Sequence, residues 1–268
     1  MESEKGGNPI VRYAKEIYRF RRMFFETVKK DFKGPYRNTL LGYLWHVIAP
    51  VMSIAVYVMI FSDLLRNMPE FFWIYVSTGM FPWIFFSASL GSSANSIVRN
   101  GNMVKKMYFP REILIMSGVT TQLIGFIISY TLLIACIFFS GFPLHAPGFL
   151  LLPVIILLET GFTYGLCLLF SAANVYIRDI SHGVSILTHV WMWMTPIIYV
   201  YGTMSPFVNM INQLNPLTYF INAFHDVVYY GTIPELMNLM ICIELTIISI
   251  FVGIYAFKKL ENGFAERI

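Results

Sequence analysis

The chain has 268 residues, of which 57% are hydrophobic, 17% aromatic and only 13% charged. Soluble domains carry about 25% charged residues, so the composition excludes an ordinary soluble enzyme or nucleic-acid-binding domain and indicates an integral membrane protein. The net charge of +4 sits in residues that flank apolar runs, where topology and anionic lipid account for it better than nucleic acid does.

Residues 10–33 read as an amphipathic helix. Ile10, Tyr13, Ile17, Phe20, Phe24, Phe25, Val28 and Phe32 fall on one side, and Arg12, Lys15, Arg19, Arg22, Lys29 and Lys30 on the other. Basic residues opposite aromatics suit a helix lying in the membrane interface, with packing on a partner as the alternative. Gly34-Pro35 ends it. No signal sequence with a small-residue cleavage site precedes the first apolar run, and the N-terminus is expected inside.

Six spans follow, at residues 41–65, 71–97, 113–139, 149–175, 184–201 and 236–257, each of the order of 20 residues as a bilayer requires. Residues 258–268 form a tail. All 19 Lys and Arg except Arg66 lie in segments on one side of this arrangement. The positive-inside rule therefore places both termini in the cytoplasm.

Between the second and third spans runs Arg99-Asn100-Gly101-Asn102-Met103-Val104-Lys105-Lys106-Met107-Tyr108-Phe109-Pro110-Arg111-Glu112. It is too charged to span, yet it carries apolar side chains that a solvated loop would not favour. A loop both basic and apolar is expected to dock on a partner; a basic loop on the membrane surface is the bland alternative. Arg178-Asp179 marks a second, short inside loop.

Residues 201–234 lie outside in this topology, have no Lys or Arg, and contain two short segments opened by Ser205-Pro206 and Asn215-Pro216. Each pair puts a capping side chain before a proline at the first helical position. Segments this short cannot span, so they are expected to be re-entrant or to lie at the outer surface. Asn209, Asn212, Gln213, Asn222, His225 and Asp226 give this lid-like region polar handles.

Catalytic signatures are lacking. There is no phosphate loop ending in Gly-Lys-Ser/Thr, no His-Glu-x-x-His and no Cys-x-x-Cys. Cys136, Cys167 and Cys242 sit inside apolar runs as packing residues. No metal site is expected. Glu159 and Glu244 stand near the middle of the fourth and sixth spans, where an ionisable residue is a functional candidate by default. Hydrogen bonding to a neighbour is the structural alternative, and for Glu244 Thr246 and Ser249 are the expected partners. Among the aromatics, Tyr57 and Phe61 share a face of span one, Trp83 and Phe86 lie in span two, and Trp193 and Tyr199 in span five. Sugar rings present apolar C–H faces that can lie on aromatic faces, so these residues suit a glycan pathway. Headgroup-facing belts are the alternative.

The motifs Tyr36-Arg37-x-Thr39-x-Leu41-Gly42-x-Leu44-Trp45, Gly79-x-Phe81-Pro82-Trp83, Phe109-Pro110-Arg111-Glu112-Ile113, Arg178-Asp179-Ile180, Thr195-Pro196, Asn215-Pro216 and Phe264-Ala265-Glu266 together resemble permease subunits of type-2 ABC transporters that export polysaccharides. The resemblance spans residues 36–266. It implies an all-α integral membrane protein, one permease domain over 1–268, with six transmembrane helices over 41–257, an interfacial N-terminal helix and short re-entrant helices before the last span. It also implies a homodimer in the cytoplasmic membrane, paired with two copies of a separate ATP-binding subunit that holds ATP and magnesium, while this chain is no enzyme and carries no cofactor. Arg99, Lys105, Lys106, Tyr108, Phe109, Arg111 and Glu112 would meet the ATPase, with Arg178 and Asp179 at a second contact. Arg37, Tyr57, Phe61, Trp83, Phe86, Glu159, Trp193 and Tyr199 would line the substrate pathway. At Arg37 a lipid-phosphate contact and a plain positive-inside anchor stand equally. The implied cargo is a lipid-linked glycan, whether O-antigen, capsule or teichoic acid, and Asn102–Met107 is somewhat similar to teichoic acid exporters. A proton-coupled carrier, a membrane transferase and a small-molecule or drug exporter of the same fold are the competing expectations.

Overall fold

A computed structural model of the chain describes residue 15 and residues 18–34, 39–40, 42–64, 69–143 and 146–267. Expectations for Arg37, Arg66 and most of residues 10–17 lie outside the described residues, as do those for Tyr36 and Leu41. Every regular element among the described residues is helical. In chain order they are α1 (Arg21–Lys33), a 3-10 turn (Gly42–Leu44), α2 (Trp45–Leu64), α3 (Phe72–Ala94), α4 (Ser96–Arg99), α5 (Gly101–Lys106), α6 (Glu112–Phe139), α7 (Ala146–Phe149), α8 (Leu152–Tyr176), α9 (Ile180–Trp193), α10 (Pro206–Leu214), α11 (Pro216–Phe224), a π-helical turn (His225–Tyr229), α12 (Leu236–Glu261) and α13 (Phe264–Arg267).

α2, α6, α8 and α12 are each long and apolar enough to cross a bilayer, matching the first, third, fourth and sixth expected spans. α3 has 23 residues, a rise of about 34 Å, and forms the centre of the bundle. Ile74, Val76, Phe86 and Leu90 are fully enclosed. Ser77 and Thr78 turn their hydroxyls back on its own backbone, onto the Trp73 and Ile74 carbonyls, which helps these polar side chains pack inside.

The fifth segment departs from expectation. α9 has 14 residues, about 21 Å, and stops at Trp193 instead of running to Tyr201. Pro196 cannot donate to the helix. The Ile197 N–H donates to the Thr195 carbonyl at 2.8 Å in a tight turn around the proline, and the Thr195 hydroxyl returns to the Trp191 carbonyl at 2.9 Å. Asn215 then fixes the break. Its amide nitrogen donates to the Met194 carbonyl and the Thr195 hydroxyl, both at 2.9 Å. Its side-chain oxygen accepts from Trp191 Nε1 at 2.7 Å and caps α11 by accepting from the Leu217 N–H at 3.0 Å. Ser205 caps α10 in the same manner, through the Val208 N–H. Both short segments therefore begin where the sequence places them, and α11 with the π turn forms the longer one.

α8 and α12 are pressed together through small residues. A side chain added at Gly165 would collide with the Ser249 backbone, and one at Gly253 with the Gly165 carbonyl. Two hydroxyls cross the seam: Thr246 donates to the Leu158 carbonyl at 2.9 Å and Ser249 to the Phe162 carbonyl at 2.7 Å. Such backbone proximity is how apolar helices adhere without a hydrophobic driving force. It also corrects the expectation for Glu244, whose side chain is exposed. Thr246 and Ser249, two and five residues on, point to the opposite side of a helix with 3.6 residues per turn and serve α8 instead.

α1 packs along α6, burying Thr27 and Val28, and the Phe32 ring stacks on His46 with centroids 4.5 Å apart. Phe25 remains 64% exposed, so part of the aromatic face is open.

Candidate functional site

The segment between α3 and α6 is two short helices followed by an extended stretch, residues 107–110. Its residues divide by direction. Arg99, Lys105, Lys106, Met107 and Tyr108 face outward, Tyr108 at 86% exposure. Val104, Phe109, Pro110 and Glu112 are buried. Glu112 forms an ion pair with Lys258 near the end of α12, and Lys258 also reaches Glu261 at 3.2 Å. Arg111 donates to the Glu261 carbonyl and lies over the Phe264 ring, 5.6 Å from its centroid. Phe264 is fully buried, packed edge-on against Phe257 at 5.4 Å. Tyr176 at the end of α8 donates to the Leu260 carbonyl at 2.9 Å. One clamp thus joins the start of α6, the ends of α8 and α12, and α13.

The clamp leaves a cleft of about 250 Å³ lined by Met107, Tyr108, Arg111, Lys258, Glu261 and Asn262. Arg178 and Asp179, between α8 and α9, are both exposed. Asn174 holds that turn, its side-chain oxygen accepting from the Ser181 N–H at 2.9 Å. Sequence reasoning missed Lys258 and Tyr176. Phe264 had a signal, since it stands in one of the quoted motifs.

The expected pathway residues separate into groups. Tyr57, Phe61 and Trp193 come together on the surface between α2 and α9. The Tyr57 and Phe61 rings each lie 6.2 Å from Trp193, and 6.4 Å from each other. Trp193 is 57% exposed. Trp83 and Phe86 lie in the packed core instead, Phe86 meeting Trp191 at 5.3 Å and Phe162 at 6.1 Å. Tyr199 donates to the Asn212 side-chain oxygen at 2.9 Å, beyond the α9 break. Glu159 is wholly buried on α8, and neither carboxyl oxygen has a hydrogen-bond partner. The hydroxyls of Tyr130 and Thr163 are likewise buried without one. Glu159 therefore shares no surface with the aromatic trio. The described residues hold no group of His, Cys, Asp and Glu able to bind a metal.

A helical bundle with four helices long and apolar enough to cross a bilayer defines a multi-pass membrane protein. Residues 22–229 match the ABC-2 type transporter family, and the chain belongs to that family. It is 30% identical over 265 residues to the O-antigen export system permease protein RfbA of Myxococcus xanthus, covering 97% of this chain and 100% of that protein. A permease of the same name from Klebsiella pneumoniae is 30% identical over 237 residues, 88% of this chain and 91% of the relative.

Proposed function

We propose that the chain is the transmembrane subunit of an ATP-driven exporter that moves a lipid-linked polysaccharide across the cell membrane. The observation that carries this reading is the full-length likeness to O-antigen export permeases. In this reading there are six spans, the fifth completed by the non-helical stretch after α9, and both termini are cytoplasmic. α1 lies in the inner interface. Two copies work with two ATP-binding subunits, which hold ATP and magnesium.

The division of the loop assigns the parts. Lys105, Lys106, Met107 and Tyr108 present charge and apolar surface outward and meet the ATP-binding subunit, with Arg99, Arg178 and Asp179 at the margins. Phe109, Arg111 and Glu112 hold the loop onto α12 and α13. A push on Tyr108 is then delivered to α6 and, through the Glu112–Lys258 pair, to α12 and its close partner α8. That block moves as one against α2 and α9, where Tyr57, Phe61 and Trp193 offer ring faces to passing sugars.

The test is depletion of the chain in its host with analysis of lipid-linked material in the cytoplasmic leaflet. A sugar-only polymer accumulating inside supports the reading in its O-antigen or capsule form. A polymer of glycerol or ribitol phosphate would assign teichoic acid, and no accumulation would end the polysaccharide reading. Lys105→Glu with Lys106→Glu should release the ATP-binding subunit on co-purification while leaving the chain folded; unchanged association would remove those residues from the contact.

A further inference from the structure

At the end of the bundle opposite the clamp, α11, the π turn, the start of α12 and the start of α3 enclose a cleft of about 380 Å³. That lies within the range of small-ligand pockets, roughly 300–1,000 Å³. Its walls combine the aromatic rings of Tyr201, Tyr219 and Tyr230 with Asn222, Asp226 and Glu235. Several other polar side chains of this region make bonds within the protein. Asn209 donates to the Gly202 and Met204 carbonyls, Asn212 accepts from Tyr199, and Asn215 holds the α9 break. Asn222, Asp226 and Glu235, by contrast, make no side-chain hydrogen bond to another described residue.

His225 lines the same cleft. It is 98% buried by its 2% exposure, and its ring stacks on Tyr75 with centroids 4.0 Å apart. Its Nε2 lies 3.1 Å from the Tyr75 carbonyl. A carbonyl can only accept, so Nε2 carries the proton and Nδ1 is an acceptor. Nδ1 is buried and has no partner. A buried acceptor left open costs free energy, so this corner of the cleft wall carries an unmet polar demand.

The chemistry selects the occupant. Among the described residues no Lys or Arg lines the cleft, so none of them pairs with a phosphate there, and its two carboxylates repel one. Tyrosine ring faces beside hydroxyl acceptors and an amide suit a pyranose, whose C–H face stacks while its hydroxyls donate. We infer that this cleft is a binding subsite for an uncharged or amino-bearing sugar residue, and that it disfavours phosphate-bearing polyol units. The inference rests on the export reading for its physiological meaning: the subsite would receive sugar units at the outer mouth. Asn222 and Asp226 take hydroxyls, and Tyr219 and Tyr230 supply ring faces.

The experiment is saturation-transfer NMR on the full chain in lipid nanodiscs, with the methyl glycosides of glucose, galactose, mannose and N-acetylglucosamine as probes and glycerol 3-phosphate as the contrast. The expected result is saturation of at least one glycoside and none of glycerol 3-phosphate. Asn222→Ala and Asp226→Ala should each weaken glycoside binding by about tenfold or more, as loss of a hydrogen bond predicts. Absence of glycoside saturation, saturation of glycerol 3-phosphate to the same degree, or glycoside binding unchanged in both variants would each overturn the proposal. The selectivity is read on the unmutated chain, so a variant that fails to fold does not remove the test. Depletion in the host decides the export reading separately. Accumulated glycan without glycoside binding would sink the subsite alone, and glycoside binding without accumulation would sink the export reading alone.

Discussion

Replacing Gly165 by Ala should separate α8 from α12. The new Cβ would sit against the Ser249 backbone, where a carbon needs about 3.5 Å, and Ser249 Oγ is also in the way. Backbone cannot rotate aside as a side chain can, so the helices must part. Overpacking of this kind costs about 1–3 kcal/mol. Parting also stretches the Thr246–Leu158 and Ser249–Phe162 hydrogen bonds, now 2.9 and 2.7 Å, at about 0.6 kcal/mol each in a membrane protein. Alanine's better helix propensity returns about 1 kcal/mol, which leaves a net loss of about 1–3 kcal/mol from these three magnitudes. The assay is reversible unfolding in mixed micelles by SDS titration, with Gly183→Ala as control. A Cβ at Gly183 would meet nothing within 4 Å, so the control should be neutral or slightly stabilising. If Gly165→Ala proved as stable as the control, the close approach of the two helices would be refuted.

Asn215→Ala removes four hydrogen bonds at once; it should cost about 2–4 kcal/mol and raise proteolysis between residues 194 and 215, and full resistance there would contradict the role given to the side chain. Lys258→Met leaves the 1%-exposed Glu112 without its cation and should cost about 1–3 kcal/mol, reduced from a fully buried pair because Lys258 is partly solvated. Glu112→Gln in the same background should recover part of that loss, and the absence of recovery in a double-mutant cycle would deny the pairing. Asp226 is raised from 3.8 to about 6 by burial, with the charge of Glu235 adding to the effect. A carboxyl with a raised folded value contributes stability that is complete below its unfolded value and lost as pH rises through the folded one. The wild type should therefore lose thermal stability between about pH 4 and pH 7 relative to Asp226→Asn, and parallel curves for the two proteins would count against it.

What the sequence makes legible here is what a few neighbouring residues determine. The starts of α10 and α11 follow from a capping side chain before proline, and both ends of the contact lie within three residues. The same holds for Gly34, whose N–H donates to the Lys30 carbonyl at the end of α1. Long apolar runs locate α2, α6, α8 and α12 because hydropathy is additive along the chain. It fails at the fifth segment for the same reason: apolar residues continue through Tyr201, while Pro196 and the reach of Asn215 end the helix at Trp193. Thr195-Pro196 was visible, but the side chain that stabilises the break comes from another element.

The loop before α6 shows the same limit in a way that bears on function. Arg99 to Glu112 is evenly basic and apolar as a string, and nothing local separates the residues that face outward from those that hold the loop in place. The separation is made by Lys258, Glu261 and Phe264, brought from the far end of the chain by the α8–α12 packing. That packing depends on Gly165 and Gly253 having no side chains. A stiff link from Tyr108 to α12 therefore requires small residues in the middle of the bundle as much as charges at its end. If the link works as proposed, Gly165→Ala should weaken coupling of ATP hydrolysis to transport while leaving the Lys105–Tyr108 surface, and so association with the ATP-binding subunit, intact.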